Sequence, residues 1–150
     1  MTPFVTGGAG FLLAVLWFDL MFDVQVLRQR SGDLPDDALA SISAYYRRVT
    51  TTARPMNRLV GVVMLGTIGS AATALAKSDV PNGVAAVSLA LLVAPVALAA
   101  SHTFPAARRL GLGRDASAEQ SRLARAICRD HLVCLGCIVS VLVLQLALAR

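Results

Sequence analysis

Charge is scarce in this sequence, and lysine is almost missing from it. Asp, Glu, Lys and Arg make up 15% of the 150 residues, against about 25% in an ordinary soluble domain. Apolar residues reach 56% and the mean hydropathy is +0.66. A water-exposed surface cannot be covered from so small a polar stock, which excludes a soluble globular fold. Aromatic residues amount to only 5%, so Ala, Val and Leu must do most of the packing. The single lysine, Lys77, stands against 13 arginines. That bias, with the high alanine content, points to a GC-rich bacterial genome. Three cysteines, at positions 128, 134 and 137, leave every outward loop without one, which argues against a disulfide-generating role. A net charge of +5 raises the question of nucleic acid. In so apolar a chain it reads instead as basic loops lying against anionic headgroups, so no nucleic-acid partner is expected.

The apolar residues fall in long blocks. A helix crossing the hydrocarbon needs about 20 mostly apolar residues, and four stretches approach that length: 4–27, 59–76, 84–101 and 132–149. The first is too long, and too poor in basic residues ahead of it, for a removable signal peptide, and is read as a retained helix. The expected fold is therefore all-α, an integral membrane four-helix bundle forming one four-span domain over 1–150. Twelve of the fourteen basic residues fall in two segments, 28–58 and 102–130. One four-span topology puts both on the cytoplasmic side. This predicts a multi-pass protein of the bacterial cytoplasmic (inner) membrane with both termini outside.

Both basic segments carry helical signals. Leu39, Ile42, Tyr46, Val49 and Ala53 recur at helical spacing, behind a start signal of Pro35, Asp36 and Asp37. An amphipathic helix in the interface is expected there, with Tyr45 and Tyr46 at headgroup level. In the second segment, Ser117-Ala118-Glu119-Gln120 has the pattern of a capping box. Arg122, Arg125 and Arg129 follow on one face and read as a solvated stripe.

Polar groups within the spans define the candidate site. Asp19 and Asp23 are four residues apart in the first span and share a helical face. Arg54, Asn57 and Arg58 stand at the cytoplasmic start of the second span, His102 at the end of the third, and Asp130 and His131 at the start of the fourth. All four spans thus bring polar groups to one end, which predicts a polar cavity there. Three readings stand. Asp19, Asp23, His102 and His131 could hold a transition metal, being hard and borderline ligands. Asp19 and Asp23 could pair with Arg54 or Arg58 and staple the bundle. Or the cluster could bind a lipophilic molecule, with Asp19, Asp23, His102 and His131 as catalytic acids and bases and Arg54, Asn57, Arg58 and Tyr46 contacting substrate. In each reading Asp19 should meet other spans through Arg54, Arg58, His102 or His131.

Cys134-Leu135-Gly136-Cys137 is a C-x-x-C pair, but it lies in the reducing leaflet, and its cysteines are expected to be buried free thiols. Gly66, Ser70 and Ala74 form a small-residue line that lets a neighbouring helix approach, in this chain, in a second copy or in a membrane complex. Gly7, Gly8 and Gly10 offer the same on the first span, and Pro95 should kink the third.

The length of the chain resembles that of small four-span proteins of the anthrone-oxygenase-like family. So do Tyr45-Tyr46-Arg47-Arg48, Arg54-Pro55-Met56-Asn57-Arg58 ahead of the second span, and Arg129-x-His131 leading into the fourth. Asp19 and Asp23 lie outside that resemblance. It implies a membrane oxidoreductase or oxygenase acting on a lipophilic phenolic substrate in a pocket at the cytoplasmic leaflet. The alternative is a non-catalytic membrane-complex subunit or lipid-binding scaffold whose Asp–Arg cluster is structural.

Overall fold

A computed structural model describes residues 2–29, 31–78 and 80–148, without the side chains of Thr2 and Arg54. Among the described residues six α-helices run in the order α1 Thr2–Asp23, α2 Asp36–Thr51, α3 Arg54–Ala76, α4 Asn82–Leu98, α5 Phe104–Leu112 and α6 Ser117–Leu148. A 3₁₀ turn, Val24–Arg28, ends α1, and a π-turn, Ala99–Thr103, joins α4 to α5. The described residues hold no strand.

Among the described residues four helical stretches are long and apolar enough to cross a membrane: Pro3–Arg28, Pro55–Ala76, Asn82–Leu112 and Ser117–Leu148. The protein is an all-α integral membrane bundle. Its spans form a ring in which α1 packs on α3 and α6, and α4 packs on the same two helices. Val5, Ala9, Leu12, Ala71, Leu92, Ile138 and Val141 fill the centre. Trp17, Phe18, Met21, Val62, Leu65 and Val143 stay exposed on the outside, as residues facing lipid do.

The second basic segment is less a loop than two helix extensions. The stretch over 82–112 is 31 residues long and α6 is 32. At 1.5 Å per residue each is about 46–48 Å, well beyond the roughly 30 Å of hydrocarbon. Both project from the same end, joined by a tight link at Gly113, whose φ of +60° suits glycine. The expected fourth span at 132–149 is thus only the inner part of α6, and its last residue, 149, lies outside the described residues.

Helix α2 behaves differently from an interfacial helix. Its apolar stripe is buried as expected at Leu39, Ile42 and Tyr46, but protein covers it. These residues join Val26, Leu34, Ala106, Ala107, Leu110, Leu123, Ala124, Ile127 and Cys128 in a second core at the basic end of the bundle. Gly111 permits the close crossing of α2 and α5: a Cβ there would stand 2.7 Å from the backbone nitrogen of Arg47. The segment between α1 and α2 is tied down as well. Ser121 Oγ accepts from the Leu34 amide at 2.9 Å, and Arg125 donates to the carbonyls of Gly32 and Gln29 at 2.6 and 3.2 Å. Arg125 therefore leaves the expected solvated stripe to satisfy loop carbonyls, whereas Arg122 and Arg129 remain exposed. The capping box does not close either. Glu119 binds Arg109 and Arg122, and Gln120 donates to the Asp115 carbonyl at 2.6 Å.

Candidate functional site

Asp19 and Asp23 end the first span on the face that α2 and α6 cover. Asp23 is fully buried, and its two oxygens have separate partners: Oδ1 accepts from the Tyr46 hydroxyl at 2.6 Å, and Oδ2 meets His131 Nδ1 at 2.6 Å. A carboxylate can only accept, so the His131 nitrogen facing it carries the proton. Asp19 accepts from the Tyr45 hydroxyl. Tyr45 stacks on Phe22 with centroids 4.1 Å apart and meets Tyr46 edge-on at 5.2 Å. Burial, reinforced by the neighbouring carboxylates, holds both phenols protonated well above their usual range. One network thus joins α1, α2 and α6.

A second pair lies apart from it. His102 Nδ1 faces Asp130 Oδ2 at 2.5 Å, and Thr103 donates to the same oxygen at 3.1 Å. Asp130 is buried while the His102 side chain is nearly half exposed. Both donors sit in the π-turn, a local widening that often marks a special site. It begins a turn after Pro95, where the ring removes a backbone donor. The pair ties the third span to the fourth.

The expected site is therefore split and differently partnered. His131 joins Asp23, but His102 does not join them. Among the described residues no three His, Cys, Asp or Glu side chains come together as a metal would require. The set Asp19, Asp23, His102 and His131 does not fit a metal ion. Among the described residues neither Asp19 nor Asp23 pairs with an arginine. Arg58 is exposed, and the Arg54 side chain lies outside those described. In place of the expected contacts with Arg58, His102 or His131, Asp19 hydrogen-bonds Tyr45, because α2 folds back over the end of the bundle; the expected contact with Arg54 lies outside the described residues. Asn57 faces inward but donates to the Val49 carbonyl at 2.8 Å, bracing the turn from α2 to α3. Tyr46 is wholly engaged by Asp23.

Asp130 was expected at the polar end of the bundle but without a role, and Tyr45 and Thr103 were not among the expected site residues. The signal for the tyrosines was present: Tyr46 lies on an apolar stripe, and a buried phenol needs a hydrogen-bond partner. Cys128 and Cys134 are buried and Cys137 is partly so.

Helix ring and capping helix define a small polytopic membrane protein whose buried carboxylates Asp23 and Asp130 are hydrogen-bonded within the chain. The chain belongs to the SHR3 chaperone family, described as ER membrane protein SH3, whose family model matches residues 1–149. Neither a curated protein nor a solved structure matches it. Membership in this family overturns the anthrone-oxygenase-like resemblance, whose short Arg- and Tyr-rich stretches also arise where a basic helix meets a membrane. It equally overturns the oxidoreductase reading and the placement in a bacterial inner membrane, since the family is described by the ER membrane.

Proposed function

We propose that this protein is a non-catalytic chaperone of the ER membrane that shields membrane-spanning segments of client proteins. In this reading the whole chain acts as one four-span unit, with its basic, α2-capped end facing the cytosol. The observation that carries the reading is a groove along α1 and α3, in a chain of a chaperone family. Gly7 and Gly66 line it with no atom within 4 Å of where a Cβ would stand, and Phe4 and Phe11 form its rim. Small residues at this spacing let a foreign helix come close, where dispersion contacts are worth most in lipid. The Asp19–Tyr45 and Asp23–Tyr46–His131 contacts favour the same reading, because they occupy the carboxylates internally instead of offering them to a substrate.

Site-specific photocrosslinking tests it. Probes at Phe4 and Gly66 should capture newly made polytopic proteins in ER membranes, while a probe at the exposed Val143 on α6 should not. Filling the groove with Gly66→Leu and Ser70→Leu should abolish capture from Phe4. Equal capture from Phe4 and Val143 would refute the assignment.

A further inference from the structure

Two helix faces meet in a cleft of about 500 Å³ at the basic end, lined by Arg47, Thr50, Thr51, Arg108, Gly111 and Leu112. The residues fall at i, i+3 and i+4 on α2 and again on α5, so each helix presents one continuous face. The close crossing at Gly111 sets these faces side by side.

The charge in this cleft is unbalanced. Among the described residues neither Arg47 nor Arg108 has an ion-pair partner, although Arg109, the next residue along, has two: Asp115 at 3.0 Å and Glu119 at 3.1 Å. No acidic side chain among the described residues lines the cleft, and Glu119, which binds Arg109, is also committed to Arg122. Thr50 and Thr51 spend their hydroxyl protons on the carbonyls of Tyr46 and Arg47. The donors left are two guanidinium groups, whose planar forks match phosphate oxygens. Two like charges lining one cleft repel each other unless an anion lies between them.

The position of the cleft limits the anion. Thr51 is four residues before the membrane-crossing stretch Pro55–Ala76 begins, close to headgroup depth, and the exposed Leu112 adds an apolar wall. We infer that this cleft is a binding site for the phosphate of an anionic phospholipid headgroup in the leaflet on the basic side. The site is separate from the α1–α3 groove and does not rest on the chaperone reading.

The test uses the full chain in mixed micelles of phosphatidylcholine and phosphatidylserine, with retained lipid measured by native mass spectrometry. The wild type should retain phosphatidylserine in preference to phosphatidylcholine. Arg47→Gln or Arg108→Gln should each weaken retention about fivefold, and the pair about 30-fold, at the usual worth of a basic residue near a charged surface. Arg47→Lys with Arg108→Lys should keep most of it. Arg122→Gln removes an exposed arginine elsewhere and should leave retention unchanged. Circular dichroism of each variant separates lost binding from lost fold. Retention without preference for phosphatidylserine, or an equal loss in Arg122→Gln, overturns the site. Displacement of the lipid by equimolar inorganic phosphate overturns the headgroup assignment in favour of a soluble anion.

Discussion

Tyr46 donates to Asp23 across 2.6 Å, and neither residue exposes more than 2% of its surface. The contact joins the end of the first span to a helix outside the membrane core. A buried carboxylate is costly unless its oxygens are hydrogen-bonded. Here that need fixes where α2 lies.

The two halves of the arrangement should therefore be coupled. Tyr46→Phe leaves Asp23 Oδ1 without its donor and should cost about 1–3 kcal/mol. Asp23→Ala strands both Tyr46 and His131 and should cost at least as much. The double variant should be less destabilised than the sum, by about 0.5–3 kcal/mol. Thermal unfolding in detergent measures all three, and strict additivity would show the contact to be energetically idle.

The phenols also predict a pH dependence. Burial and the adjacent carboxylates raise both tyrosines above their ordinary value of 10.0 in the folded protein. The unfolded chain therefore loses these protons first. Their contribution is complete below pH 10 and declines as pH rises toward the folded-state values, by up to about 1.4 kcal/mol per pH unit for the buried Tyr46 and by less for the half-exposed Tyr45, whose interactions solvent screens. The variant Tyr45→Phe/Tyr46→Phe should lose that part of the alkaline slope. A slope unchanged in that variant would assign the sensitivity to other groups.

Much of the fold was legible in the sequence because hydropathy and basic-residue placement are direct consequences of a bilayer. The spans, the clustering of Arg at one end and the inward stripe of Leu39, Ile42 and Tyr46 all follow from local pattern. The partners of Asp19 and Asp23 did not, because side-chain pairing depends on where α2 lands. Read locally, α2 could face lipid as readily as protein, so its tyrosines looked like headgroup anchors and arginine looked like the natural partner. The split between Asp23–His131 and His102–Asp130 depends on the π-turn, which has no signature at His102 itself.

Glycine marks two close helix crossings of unequal rigidity. At Gly111 an added Cβ would meet the Arg47 backbone at 2.7 Å, and backbone cannot step aside. At Gly8 the obstacle is the Thr67 side chain, which can rotate once it gives up its bond to the Val63 carbonyl. Gly111→Ala should cost about 1–3 kcal/mol and Gly8→Ala less. The reverse order in melting temperature would mean that the α2–α5 crossing is not tight.

Orientation can be read by labelling. In a chain with its three cysteines replaced by alanine, Ser31→Cys and Ala116→Cys should react with an impermeant maleimide in sealed ER microsomes. Asn82→Cys, at the start of α4, should react only after permeabilisation. The opposite pattern would put the basic end in the lumen and remove the cytosolic placement proposed above.

Far from the Asp23 network, Gln145 and Ser88 form a buried pair between α6 and α4, with Gln145 Nε2 donating to Ser88 Oγ at 3.2 Å. Each is an expensive residue inside a span, and each is tolerated because of the other. Ser88→Ala leaves the Gln145 amide with nothing to donate to, where neither water nor lipid can replace the hydroxyl. Polar contacts within bundles are worth roughly 0.6 kcal/mol on average, whereas stranding a buried donor costs about 1–3 kcal/mol. Ser88→Ala should therefore be the more damaging single change. Gln145→Leu removes the stranded group and keeps an apolar side chain of similar size, so adding it to Ser88→Ala should restore most of the lost stability. If the double variant melts no higher than Ser88→Ala, the pair contributes packing alone, and the hydrogen bond does not join the two spans.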